Sequence, residues 1–152
     1  MTTEKALQIL AGLCSKKEYC SRDIREKLNR WEFGEAEQQK ILAFLKRHQF
    51  IDDQRFARIY AEDKFRFNHW GKQKIAMMLR QKGIDTDTVS EALEVIGKPG
   101  YEASCLEMLE QKLKTLPQDE PYKLKAKLAR FALGRGFDYD TVNHCLALLF
   151  PR

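Results

Sequence analysis

The sequence is short of helix breakers, with 8 glycines and 4 prolines among 152 residues. Short strands joined by tight turns need more of both, so an all-β sandwich or barrel is excluded and a helical protein is expected. Long apolar runs are missing too: nothing approaches the roughly 18 consecutive apolar residues that span a bilayer. The apolar stretch from Ala6 to Cys14 is interrupted by Gln8, and Glu4 cancels Lys5 ahead of it. No small-x-small cleavage site follows, and Leu13 stands where a lipoprotein signal wants a small residue before Cys14. It reads as an amphipathic first helix, and no membrane partner is expected.

Catalytic constellations are absent as well. The three histidines, His48, His69 and His144, show none of the spacings that gather metal ligands, and no Cys-x-x-Cys occurs. His144 and Cys145 are adjacent and so point to different faces of a helix, which argues against a nucleophile and base pair. Asp52 and Asp53 stand where a helix begins, and there a carboxylate more often accepts backbone N–H groups than transfers protons. Gly134-Arg135-Gly136 lacks the strand and further glycines of a phosphate cradle, and there is no P-loop. A non-enzymatic protein without metal or cofactor is expected. Cys14, Cys20, Cys105 and Cys145 sit in apolar settings and read as reduced and buried, which points to the cytoplasm.

What the sequence does contain is an internal repeat of about fifty residues. Apolar pairs four residues apart recur at Ile24/Leu28, Ile75/Leu79 and Leu124/Leu128, in steps of 51 and 49. A second pair follows each: Ile41/Leu45, Val89/Leu93 and Val142/Leu146. A third set precedes each: Ala6/Ile9/Leu13, Ala57/Tyr60/Lys64 and Leu106/Leu109/Leu113. Spacings of three, four and seven keep side chains on one helix face, so each repeat reads as three helices. The expected fold is all-α: three tandem three-helix repeats at residues 1–51, 52–98 and 99–152, forming an elongated curved array.

Punctuation marks the same division. Asp52, Asp85 and Ser21 are expected N-caps. Gly83 and Gly136 fall where a helix must stop and the chain often turns left-handed, each followed by an apolar residue, Ile84 or Phe137, with Phe33 in the matching place of repeat 1. Gly97 to Gly100 separates repeats 2 and 3, and Pro117 to Pro121 interrupts repeat 3. Phe65, Phe67, Trp70 and Trp31 are expected to glue neighbouring repeats together.

The net charge of +5 is unevenly placed. From Lys64 to Lys82 there are six basic residues and no acid, and from Pro121 to Phe137 five basic residues and no acid. Both stretches hold the second helix of their repeat. The third helices are the reverse: Asp85 to Ile96 carries four acids and no base, and Asp138 to Phe150 two acids and no base. A lone charge run is usually a solvated face, but recurrence at equivalent places favours one basic surface for a polyanionic or acidic partner. The candidate contact residues are Lys64, Arg66, Lys72, Lys74, Arg80 and Lys82, with Arg58 on the preceding helix, then Lys123, Lys125, Lys127, Arg130 and Arg135. A helix-turn-helix protein reading the major groove is disfavoured, because the last helix of such a unit would here bring acids between phosphates.

The chain resembles the bacterial recombination regulator RecX family. The resemblance rests on Ile51-Asp52-Asp53-Gln54-Arg55-Phe56-Ala57, and on Gly71 with Ile75, Leu79 and Lys82-Gly83-Ile84. It continues in Lys127-Leu128-Ala129-Arg130-Phe131 and Arg135-Gly136-Phe137, and covers essentially the whole length, least distinctively in repeat 1. Gly134 departs from the pattern, since the family more often has two basic residues before that last glycine. The resemblance implies a cytoplasmic protein without catalysis. Its implied partner is the RecA filament on single-stranded DNA, whose ATPase, strand-exchange and coprotease activities it lowers. The second reading is an accessory protein that binds single- or double-stranded DNA directly and without sequence preference. Either way a monomer is expected.

Overall fold

A computed structural model describes residues 1–151, and these form helices and connecting turns without strands. The first triplet is α1 (Thr3–Cys14), α2 (Ser21–Arg30) and α3 (Glu35–Arg47). The second is α4 (Asp53–Asn68), α5 (Lys72–Gln81) and α6 (Thr86–Glu94). The third is α7 (Lys98–Thr115), α8 (Pro121–Gly134) and α9 (Tyr139–Leu149). The all-helical repeat array expected from the sequence is the architecture found.

The apolar pairs sit where their spacing demands. Ile24 and Leu28 of α2, Ile75 and Leu79 of α5, and Leu128 of α8 are fully buried, and Leu124 is half-buried. In α1 the buried residues are Ala6 and Leu10, so Ile9 lies on the flank rather than at the centre of that face. In α7 the buried set is Tyr101, Cys105, Met108 and Leu109. Spacings of three and four starting from Tyr101 shift the stripe by one residue and leave Leu106 half-buried.

The caps follow the sequence with one exception. Asp52, Asp85 and Asp138 each accept from the backbone N–H three residues on. Burial raises the Asp138 carboxyl, but hydrogen bonds from Thr141 more than offset it, and the group titrates below the ordinary carboxylate range. The exception is Ser21, which is the first residue inside α2. Cys20 holds the cap position, and the Ser21 N–H is taken by Asp53 Oδ1 at 2.8 Å. A side chain from the next triplet thus does what a local serine was expected to do.

Second-helix ends share one device. Ile84 N–H donates to Leu79 O and Phe137 N–H to Ala132 O, closing α5 and α8 around left-handed Gly83 (φ 80°) and Gly136 (φ 95°). In α2 the same bond runs from Phe33 N–H to Leu28 O, and the left-handed residue is Glu32 (φ 64°). Pro99 and Gly100 fall inside the first turn of α7, where a proline costs no hydrogen bond, rather than in a linker.

The core is in two parts. Ala6, Leu10, Ile24, Leu28, Ile41, Leu42, Leu45 and Ile51 form the core of the first triplet. The second and third triplets share one core, in which Phe65 packs 6.1 Å from Tyr101 and Tyr101 5.0 Å from Phe137. Phe65 is therefore a link between triplets, as expected. Trp70 lies against Tyr60 at the edge of the shared core, Trp31 belongs to the first core, and Phe67 is 73% exposed and joins nothing. Position explains Phe67: it falls on the exposed side of α4, between Phe65 and His69, which face Tyr101 and Ser104 of α7.

Candidate interaction surface

The second helices are strung head to tail, joined by backbone bonds at one joint and by side chains at the other. The start of α5 meets the end of α8: Gly71 N–H donates to Arg135 O at 2.8 Å and Gln73 N–H to Gly136 O at 3.0 Å. Lys72 N–H donates to the Tyr101 hydroxyl at 2.9 Å. Three of the N–H groups that a helix start leaves free are thus satisfied by the next triplet. Burial pushes the Tyr101 phenol up to about 12, so it stays protonated. The start of α2 meets the end of α5 in the same sense, through Arg22 to Gln81 O, Cys20 Sγ to Lys82 O at 3.9 Å, and Lys82 Nζ to Asp23 Oδ1 at 3.3 Å.

This arrangement decides where the candidate cations go. Successive residues turn by about 100° around a helix, so Lys123, Lys127 and Arg130 share one side of α8 within about 60°, and all three are exposed. Lys125 points to the other side, where its Nζ lies 5.5 Å from the Phe150 ring. On α5, Lys74 immediately precedes buried Ile75, as Lys123 precedes Leu124, so the two lysines hold equivalent places in their triplets. Lys64 joins Lys74: their ammonium groups sit 5.0 Å and 4.4 Å from the Trp70 ring, and Lys64 also lies 5.4 Å from Tyr60. The tryptophan ring attracts both cations.

The remaining candidates join neither cluster. Arg80 is exposed on the far flank of α5. Arg58 and Arg66 lie on the outer face of α4, and Arg66 pairs with Glu62 at 3.3 Å. Three others serve the joints: Lys72 spreads over Tyr101 at 5.1 Å, Arg135 reaches Asn68 O at 3.2 Å, and Lys82 pairs with Asp23. The charge runs therefore split three ways: into two clusters, Lys123, Lys127 and Arg130 on one side of α8 and Lys64 with Lys74 around Trp70, into joint residues, and into outward-facing residues. Charge counting could not separate these groups, because it ignores the helical turn.

A further set of cations, of which the reading of the sequence singled out only Lys82, lies elsewhere. Arg22, Arg25, Lys46 and Lys82 line one cleft between the first two triplets. The acids interspersed in α2 concealed it, although Arg22, Arg25 and Asn29 are spaced three and seven apart on one face.

Among the described residues no three His, Cys, Asp or Glu side chains gather as metal ligands would. Among the same residues no helix is long and apolar enough to cross a membrane. Cys20, Cys105 and Cys145 are buried free thiols, Cys14 is partly buried, and burial pushes Cys20 up to about 11. Such thiols are poor nucleophiles.

Comparison with known proteins agrees with the geometry. Residues 52–93 match the family model described as RecX, second three-helix domain, and residues 101–146 match RecX, third three-helix domain. A Regulatory protein RecX of Clostridium botulinum is 35% identical over 124 residues, which is 80% of this chain and 58% of that protein. The chain thus spans little more than half the length of that clostridial relative. A Regulatory protein RecX of Prosthecochloris aestuarii is 33% identical over 144 residues, covering 95% of this chain and 93% of the relative. The crystal structure of RecX from Lactobacillus salivarius superposes with a TM-score of 0.88 over 97% of this chain and 96% of that one, at 20% identity. That match shares the fold. Together with the two domain matches, the identity sustained over nearly the full length of both chains places this protein in the RecX family of regulatory proteins.

Proposed function

We propose that the protein binds the filament that the RecA recombinase forms on single-stranded DNA. There it lowers ATPase, strand-exchange and coprotease activity, and so moderates recombination, DNA repair and the SOS response. Family membership supports the regulatory part of this reading. The observation that carries the surface is the repeated cation before the anchor residue of α5 and of α8, Lys74 and Lys123, extended by Lys64, Lys127 and Arg130. Side chains that recur in register along a head-to-tail row suit a partner that also repeats, as a filament does. Units 1–51, 52–98 and 99–152 would engage it together in the cytoplasm, as a monomer.

The test is RecA ATPase on single-stranded DNA with the protein added below equimolar amounts. The expected result is inhibition at substoichiometric ratios, with binding to the filament outlasting binding to bare DNA as salt is raised. Contact with phosphate alone would lose about a thousandfold in affinity between low and moderate salt if six or more phosphates were engaged. ATPase at full rate with equimolar protein would contradict the proposal. Binding to bare DNA as tight as to the filament would favour direct action on nucleic acid.

A further inference from the structure

The cleft between the first two triplets has a volume of about 550 Å³ and is walled by α2, the last turn of α3 and the end of α5. Four of its side chains are cationic, Arg22, Arg25, Lys46 and Lys82, against two acids, Glu26 and Asp53. The acids are differently placed for a ligand. Asp53 is already engaged at the start of α2, where it accepts the Ser21 N–H. The cations are not equal either: Arg22 donates to Gln81 O and Lys82 pairs with Asp23. Arg25 and Lys46 are exposed and make no ion pair among the described residues.

The wall holds a second feature that points to a ligand. Ser21 lines the cleft, and its Oγ is buried with no hydrogen-bond partner. A buried hydroxyl without a partner costs free energy that a bound acceptor would recover. Like-charged side chains converging from three elements repel one another unless an anion lies between them.

We propose that this cleft binds linked phosphates, held by Arg25, Lys46 and Arg22 and hydrogen-bonded by the Ser21 hydroxyl. Arginine forks and a lysine point charge suit phosphate oxygens, and a cleft of this size accepts two or three phosphates in a chain. The chemistry is shared by a free polyphosphate chain and by adjacent phosphates of a nucleic-acid strand. The inference does not depend on the filament reading: it uses none of the cations on the α5 and α8 side.

The experiment is calorimetric titration of the full chain at physiological salt with inorganic tripolyphosphate, and separately with a short oligothymidylate. Saturable binding of either is expected, and which of the two binds identifies the source. Arg25→Glu with Lys46→Glu should weaken it about tenfold or more, as expected on removing two charge-assisted contacts. Arg25→Ala with Lys46→Ala should do the same to a lesser degree and guards against misfolding. Ser21→Ala should weaken it severalfold, and Lys123→Glu with Lys127→Glu should leave it unchanged. Absence of saturable binding to both probes would overturn the proposal. So would equal loss in the Lys123/Lys127 variant, or sulfate binding as tight as tripolyphosphate.

Discussion

The two joints in the row of second helices use the same ends in different materials. Where α5 meets α8, backbone bonds from Gly71 and Gln73 are flanked by a shared apolar core in which Phe65, Tyr101 and Phe137 stack. Where the first triplet meets the second, the contacts are mostly charged side chains: Lys82 at the end of α5 to Asp23 of α2 at 3.3 Å and, from α4, Arg55 to Glu18 at 2.8 Å and Asp53 on the Ser21 N–H. Cys20 alone carries the first triplet into the apolar core of the other two. Apolar burial and backbone bonds fix geometry with little dependence on salt screening. Half-exposed ion pairs contribute up to about 1 kcal/mol each and weaken with salt. The array should therefore behave as a firm two-triplet body with a first triplet held by adjustable contacts.

The sharpest way to break this contrast is at the glycines. A methyl group at Gly71 would overlap the carbonyl of Gly136 and the nitrogen of Phe137, backbone atoms that cannot step aside. Gly71→Ala should cost about 3 kcal/mol, the upper range of overpacking, measured by urea unfolding. Gly83→Ala at the other joint meets nothing closer than Arg22 Cδ at 3.7 Å, so only its left-handed backbone opposes it. That variant should cost about 1 kcal/mol. Equal costs would mean that the joints do not differ as described.

A smaller effect is expected at Tyr101. Its hydroxyl accepts the Lys72 N–H, and Tyr101→Phe would leave that donor without a partner at a cost of about 1 to 2 kcal/mol in the same assay. The smallest concerns salt. Raising ionic strength from roughly 0.05 to roughly 0.5 M shortens the screening length severalfold. It should speed hydrogen exchange of the Ser21 amide while leaving those of Gly71 and Gln73 unchanged. Faster exchange at Gly71 would remove the distinction between the joints.

Much of this architecture was legible in the sequence. Ile24/Leu28, Ile75/Leu79 and Leu128 alone fix three second helices, because apolar spacing is a local property of the helix. Asp52 and Asp85 were readable as caps because they bond within their own turn. Ser21 was misread because its N–H is satisfied from another triplet, and Phe67 because exposure at a helix end is set by tertiary packing. The surface was legible only in part. Charge runs located the second helices as basic, but sorting Lys74, Lys123, Lys127 and Arg130 from Lys72 and Arg135 required knowing which helix end meets which. Nothing local marks Arg25 and Lys46 as neighbours.

The central claim is that one side of the α5 and α8 row docks the filament, and a paired substitution tests it most directly. RecA ATPase on single-stranded DNA would be measured with Lys123→Glu, Lys127→Glu and Arg130→Glu combined. The comparison variant combines Arg80→Glu and Lys125→Glu, which alter cations on other sides of the same helices. The account predicts that the first variant loses inhibition by about tenfold or more in the concentration required, through loss of several charged contacts, while the second inhibits like the parent. Equal inhibition by both variants, or equal loss in both, would contradict it.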